Sequence, residues 1–173
     1  FRKFPGADVL LGPEMRSTGE VMGVGRTAGE AFLKAMQGAD VRLPTSGTAF
    51  LSVNDRDKGP VILDVARRLL AMDIQLLGSR GTTLFLFDHG IPAQLVFKVH
   101  EGEPNVAALA EQGRIDLVIN TPLGRASRYD EKAIRVAAAA RGIPVITTTQ
   151  AAEAAVEAME RARGGVIERF ALQ

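Results

Sequence analysis

From Thr48 to the end of the chain, short apolar runs alternate with longer segments of helical period, and few folds besides a doubly wound α/β sheet accept that alternation. The runs at 49–53, 74–77, 95–99, 117–120 and 144–147 are apolar without strict alternation, as expected of parallel strands buried on both faces. Between and after them, 59–72, 105–112, 130–141 and 151–163 read as helices; Ala133, Ile134, Ala137 and Ala138, for example, fall on one face of the third. The stretch 82–89 is ambiguous. Leu84, Phe85, Leu86 and Phe87 suit a strand by propensity, but a Gly81-Thr82 start and a Gly90 stop suit a short buried helix, which is the assignment favoured here.

Upstream of the sheet pattern, glycine, proline and charge are too dense in 1–25 for a free-standing element, so this stretch reads as the remnant of a preceding domain. A helix is expected over 26–38, because Thr27 and Glu30 have capping-box spacing, Ala31, Phe32, Ala35 and Met36 recur at helical intervals, and Gly38 ends the pattern. Residues 40–47 then form a connector. The expected division is a remnant at 1–25, a helix and linker at 26–47, and a sheet domain at 48–173.

With 173 residues, 46% of them hydrophobic, the chain can bury one good core. The absence of cysteine excludes a disulfide framework and thiolate metal sites and fits a reducing compartment, so a cytoplasmic location is expected. A formal charge of +1, from 21 basic and 20 acidic residues interspersed, leaves no electrostatic footprint for duplex nucleic acid. Aromatics at 5% are too few for stacking platforms on single strands. No apolar run approaches the roughly 18 residues of a membrane span.

Ligands of open α/β sheets bind beyond the carboxyl ends of the strands. The residues there are Ser52, Asn54, Asp57 and Lys58 after the first run, Gly78-Ser79-Arg80-Gly81-Thr82-Thr83 after the second, Lys98 near the third, Asn120 and Thr121 after the fourth, and Thr147, Thr148 and Thr149 after the fifth. Hydroxyls, an amide and cations with few acids are what a phosphate needs. Gly81 allows close backbone approach, the hydroxyls of Ser79, Thr82 and Thr83 donate, and the amides opening the next helix point at negative charge. Taken singly, Gly-Ser and Gly-Thr-Thr make ordinary turns and caps, and Lys58 an ordinary surface lysine. Agreement among four strand ends favours the phosphate reading, with Ser52, Lys58, Ser79, Arg80, Thr82, Thr83, Lys98, Asn120 and Thr121 as candidate contacts. His89 and His100 lack partners at metal-ligand spacing, so no metal site is expected. Gly23-Val24-Gly25-Arg26-Thr27-Ala28 matches a dinucleotide fingerprint, but no strand is predicted before it, and it reads as a chance match.

The segment KFPGADVLLGPEMRSTGEVMGVGRT resembles the end of the second ATP-grasp unit of carbamoyl-phosphate synthase large chains. Downstream, LSVNDRDK, GSRGTT, LVFKVHEG, IDLVINTPLGR and ITTT resemble the allosteric domain of the same family. The resemblance implies a three-layer α/β/α domain of the methylglyoxal-synthase-like fold, with a five-stranded parallel sheet, preceded by the ATP-grasp remnant and a connecting helix. It implies a single site for a nucleoside monophosphate, UMP as inhibitor or IMP as activator, formed by Ser52, Lys58, Ser79, Thr82, Lys98, Asn120 and Thr121. It further implies a parent ligase that makes carbamoyl phosphate from bicarbonate, glutamine-derived ammonia and ATP, for pyrimidine and arginine biosynthesis. Its partners would be the rest of the large chain and a glutaminase small chain, in an oligomer. The family's ATP and its magnesium, manganese or potassium ions bind upstream of Phe1, so this stretch by itself is expected to be non-catalytic and to hold no cofactor.

Departures from the family pattern matter at three places. Ser79 and Arg80 stand where threonine and histidine are common, and Pro122 replaces a threonine. Val145-Ile146-Thr147 stands where ornithine-activated members carry Tyr-Asp-Thr, so of that second effector site only Thr147 remains and ornithine should bind weakly or not at all. Two rival functions are an active methylglyoxal synthase, which would need a carboxylate base among the strand ends, and a purely structural oligomerisation domain.

Overall fold

The structure is a computed structural model that describes residues 21–97, 101–103, 105–122 and 128–165. Five parallel strands, β1 Gly47–Ser52, β2 Ile74–Gly78, β3 Gln94–Leu95, β4 Leu117–Asn120 and β5 Val145–Ile146, form one sheet in the order β3-β2-β1-β4-β5. The helices are α1 Ala28–Gly38, α2 Pro60–Ala71, α3 Arg80–Asp88, α4 Val106–Glu111, α5 Arg128–Arg141 and α6 Thr149–Gly164. Successive strand residues serve opposite layers, as the pleat requires. Ala49, Leu51, Leu76, Leu117 and Ile119 pack with α2 and α6, while Phe50, Leu77 and Val118 pack with α4 and α5. The expected α/β/α sandwich is therefore present, with the central strand β1 fully buried from Ala49 to Leu51.

The two edge strands depart from expectation. Pairing in β3 begins at Gln94, and although Val96 N–H still reaches Gly78 O at 2.9 Å, Phe97 bridges to Asn105 instead of extending the ladder. An edge strand has one neighbour, so its extent follows pairing more than side-chain propensity. The ambiguous stretch is helical. Thr82 and Leu86, four residues apart, are fully buried, whereas Leu84 and Phe87 are exposed, a separation that only a helix achieves.

Helix α1 docks on α6. Its cap forms as expected, with Thr27 Oγ1 accepting Glu30 N–H at 3.2 Å, but the Glu30 carboxylate reaches one residue further back, to Arg26 N–H at 2.9 Å. Glu157 of α6 accepts Gly29 N–H at 3.0 Å, and hydrogen bonding from Thr27, with Gly29 N–H and Arg161 in support, holds its carboxyl below the usual range. The missing side chain of Gly29 makes this approach possible: a Cβ there would stand 2.5 Å from Glu157 side-chain carbons. Gly29→Ala should therefore destabilise the domain by about 1–2 kcal/mol in a urea melt, overpacking outweighing the propensity gain of alanine. An unchanged midpoint would show that the clamp is slack. Gly23 and Gly25 fulfil a similar need. The segment before α1 lies along that helix, and Cβ atoms on these glycines would overlap the backbone of Ala31. The fingerprint-like glycines thus serve packing. Most of the ATP-grasp-like motif, residues 3–20, lies outside the described residues, as do Lys98 and residues 123–127.

Candidate functional site at the strand ends

The direction in which strands are added to the sheet reverses beside β1, whose neighbours are β2 on one side and β4 on the other. Loops leaving β1 and β4 turn to opposite faces, and the crevice between their carboxyl ends is where open α/β sheets place ligands. Ser52 and Asn120 are register partners there, and Thr121 N–H donates to Ser52 O at 3.1 Å.

Hydroxyl groups tie three loops together. Thr82 Oγ1, in the first turn of α3 after β2, accepts Val53 N–H at 2.9 Å. Thr121 Oγ1, from the loop after β4, accepts the next amide, Asn54 N–H, at 2.9 Å. Ser79 Oγ lies 3.2 Å from Thr82 Oγ1. Asn54 completes the lashing: its Nδ2 donates to Pro122 O at 3.2 Å and its Oδ1 accepts Arg56 N–H at 2.8 Å. Asn54 stood among the strand-end residues in the sequence, but its bridging role appears only when the two loops meet. Because a hydroxyl that accepts an N–H keeps its own hydrogen, Thr121 retains a donor for another oxygen.

The cation and the helix start come next. α1, α4 and α6 are capped by the side chains of Thr27, Asn105 and Thr148, whereas α3, opening at Ser79, and α2, opening at Gly59, have no side-chain cap bond. The first-turn amides of α3 therefore carry the positive end of the helix dipole without a protein acceptor on its capping residue. Lys58 reaches over this turn, its Nζ 3.1 Å from where a Gly81 Cβ would stand. The same ammonium donates to Asp55 Oδ1 at 2.6 Å, and that hydrogen bond holds the Asp55 carboxyl below its ordinary range. Asp55, three residues before Lys58, thus brings an acid to strand ends otherwise rich in hydroxyls and cations.

Two buried polar atoms have no hydrogen-bond partner among the described residues, Thr83 Oγ1 and Asn120 Nδ2. Asn120 is 3% exposed. An orphaned amide nitrogen is costly in a finished core and ordinary in a ligand site. The structure thus gathers Ser52, Lys58, Ser79, Thr82, Thr83, Asn120 and Thr121 around the β1/β4 opening and the start of α3, with Arg80 exposed on that first turn. Thr147 stands apart, following Ile146, the partner of Ile119, on the far side of β4 from Ser52. Lys98 lies outside the described residues.

The MGS-like domain matches residues 61–147, half the chain, spanning the strand ends from α2 to β5. The chain belongs to the MGS-like domain family. Within that family its likeness is specific. This MGS-like domain is 52% identical over 161 residues to "Carbamoyl phosphate synthase large chain, C-terminal section" of Methanopyrus kandleri, covering 92% of this chain and 30% of that protein. It is 48% identical over 165 residues to the carbamoyl phosphate synthase large chain of Methanosarcina acetivorans, covering 95% of this chain and 15% of that one. For the large chain of Acidobacterium capsulatum the figures are 50% over 157 residues, 91% and 14%. The chain therefore spans less than a third of the length of these curated relatives. Among the described residues no group of three or more His, Cys, Asp or Glu could hold a metal ion, and no helix is long and apolar enough to cross a membrane.

Proposed function

We propose that this MGS-like domain is the regulatory portion of a carbamoyl phosphate synthase large chain and that it binds a nucleoside monophosphate, UMP or IMP, at the β1/β4 opening. The observation that carries this reading is the Lys58 ammonium poised over the uncapped first turn of α3. A phosphate there would accept from the amides of that turn and from Lys58, with Thr121, Asn120 Nδ2 and, on the family pattern, Lys98 completing the shell. Charge-assisted hydrogen bonds contribute about 1.5–3 kcal/mol each. Micromolar affinity requires about 8 kcal/mol net of ordering costs, so four or five such bonds suffice.

In this proposal the remainder of the large chain supplies the ligase chemistry, with ATP and its metal ions, the glutaminase small chain supplies ammonia, and the complex is a cytoplasmic oligomer. Residues 1–25 belong to the preceding ATP-grasp unit, 26–47 connect, and 48–173 bind the effector, with α1 riding on α6. A nucleotide regulates to the extent that it binds one arrangement of this domain against the rest of the chain more tightly than another. The rival elimination chemistry is disfavoured because the two carboxylates of the turn after β1 are both engaged, Asp55 by the Lys58 ammonium at 2.6 Å and Asp57 by the Asn54 amide at 3.3 Å.

Calorimetric titration with UMP, IMP, inorganic phosphate and ornithine tests the reading. Micromolar binding of UMP or IMP, competition by millimolar phosphate and no heat from ornithine are expected, with about a tenfold weakening of the nucleotide in Lys58→Ala. A folded domain indifferent to both nucleotides at millimolar concentration would leave the purely structural role standing instead.

A further inference from the structure

The pairing of Lys58 with Asp55 adds little to the stability of the fold. The Asp55 side chain is 88% exposed, and ion pairs with so exposed a partner contribute little to folding. Yet the turn that presents Asp55 is firmly held: Asn54 Oδ1 accepts Arg56 N–H at 2.8 Å, Asp57 N–H donates to Asn54 O at 3.0 Å, and Asn54 N–H is fixed to Thr121. Lys58, in contrast to its partner, is only 16% exposed, because its stem lies along the protein and its tip rests over Gly81. The carboxylate therefore engages an ammonium that rests over the first turn of α3.

We infer that Asp55 is a built-in competitor for Lys58, a carboxylate that occupies the ammonium in the free domain and must be displaced or outbid by an incoming phosphoryl group. This rests on the nucleotide reading of the same site. A carboxylate carries one negative charge and a terminal phosphate carries about 1.5 to 2 with three acceptor oxygens, so the phosphate wins the ammonium, but at reduced net affinity. The position of Asp55 makes it an affinity-setting residue that touches the ligand's partner rather than serving the fold. The depressed titration of Asp55 agrees with the pair being formed at neutral pH.

The consequence is a gain of binding from removing a charge. UMP titrations monitored by calorimetry on the wild type, Asp55→Asn, Lys58→Ala and the double variant form a cycle. Asp55→Asn should tighten UMP about 3- to 10-fold. In the Lys58→Ala background the same change should alter UMP affinity by less than about twofold, because the competed-for group is gone. Wild-type binding of UMP with no tightening in Asp55→Asn would overturn the inference while leaving the nucleotide site intact. Equal tightening with and without Lys58 would also overturn it, assigning the effect to general charge. Failure of the wild type to bind UMP would instead sink the nucleotide reading and this inference with it. Melting temperatures of all four proteins separate binding losses from folding losses.

Discussion

Truncating Phe50 to alanine should lower the unfolding free energy by about 3–5 kcal/mol, a large fraction of the roughly 5–15 kcal/mol that folded domains usually possess. Phe50 lies at the centre of β1, the central strand, and is fully buried. Its register partners are Leu77 on one side and Val118 on the other, and the three side chains form the floor on which α4 and α5 sit through Val106, Leu109, Ile134 and Ala138. Backbone pairing on both flanks prevents β1 from shifting to close the space, so most of the lost volume would remain as a cavity. Urea denaturation with an unchanged m-value is the measurement. A loss below about 1 kcal/mol would mean that the α4/α5 layer collapses into the gap and that this face is packed far less tightly than described. Because Ser52 lies two residues further along the same strand, binding at the proposed nucleotide site should weaken in parallel.

Replacing Asn120 with leucine should separate binding from stability. Its Nδ2 is buried without a partner among the described residues, and an unsatisfied donor of that kind costs about 1–3 kcal/mol in the free protein. Leucine has a similar volume and removes the orphan, so the melting temperature should hold or rise. If Asn120 donates to the nucleotide, affinity should fall about 30-fold or more, because the ligand oxygen that lost its donor is then desolvated against a methyl group. A variant that melts lower and binds UMP normally would show that Asn120 is held by the fold and has no part in the site.

Much of this architecture was legible in the chain itself, and what escaped did so for identifiable reasons. β4 ends where the apolar run 117–120 ends, because a strand buried on both faces leaves no choice of residue type. β3 and β5 shrank to two residues each, since an edge is defined by a single partner that local sequence does not name. Strand order is invisible in a list of runs, and with it went the knowledge that Ser52 faces Asn120 across the reversal. Residue types at the candidate site were readable, but not their directions: Thr82 and Thr121 offered hydroxyls, and only the folded loops reveal that both oxygens hold consecutive amides of the β1 loop. Asp55 could have been noticed, since a carboxylate three residues before a lysine in a turn is within reach of it.

Helix α6 starts at the Thr148 cap, next to the carboxyl end of β5, and carries Glu157 about 14 Å further along its axis, where the first turn of α1 is held. It is a stiff lever that starts at the carboxyl end of the sheet. A tilt of a few degrees imposed at Thr148 would arrive at Gly29 as a displacement of about an ångström, enough to change how two close-packed helices mesh. The joint through which the upstream chain enters is therefore mechanically geared to the strand ends, without any flexible segment between them.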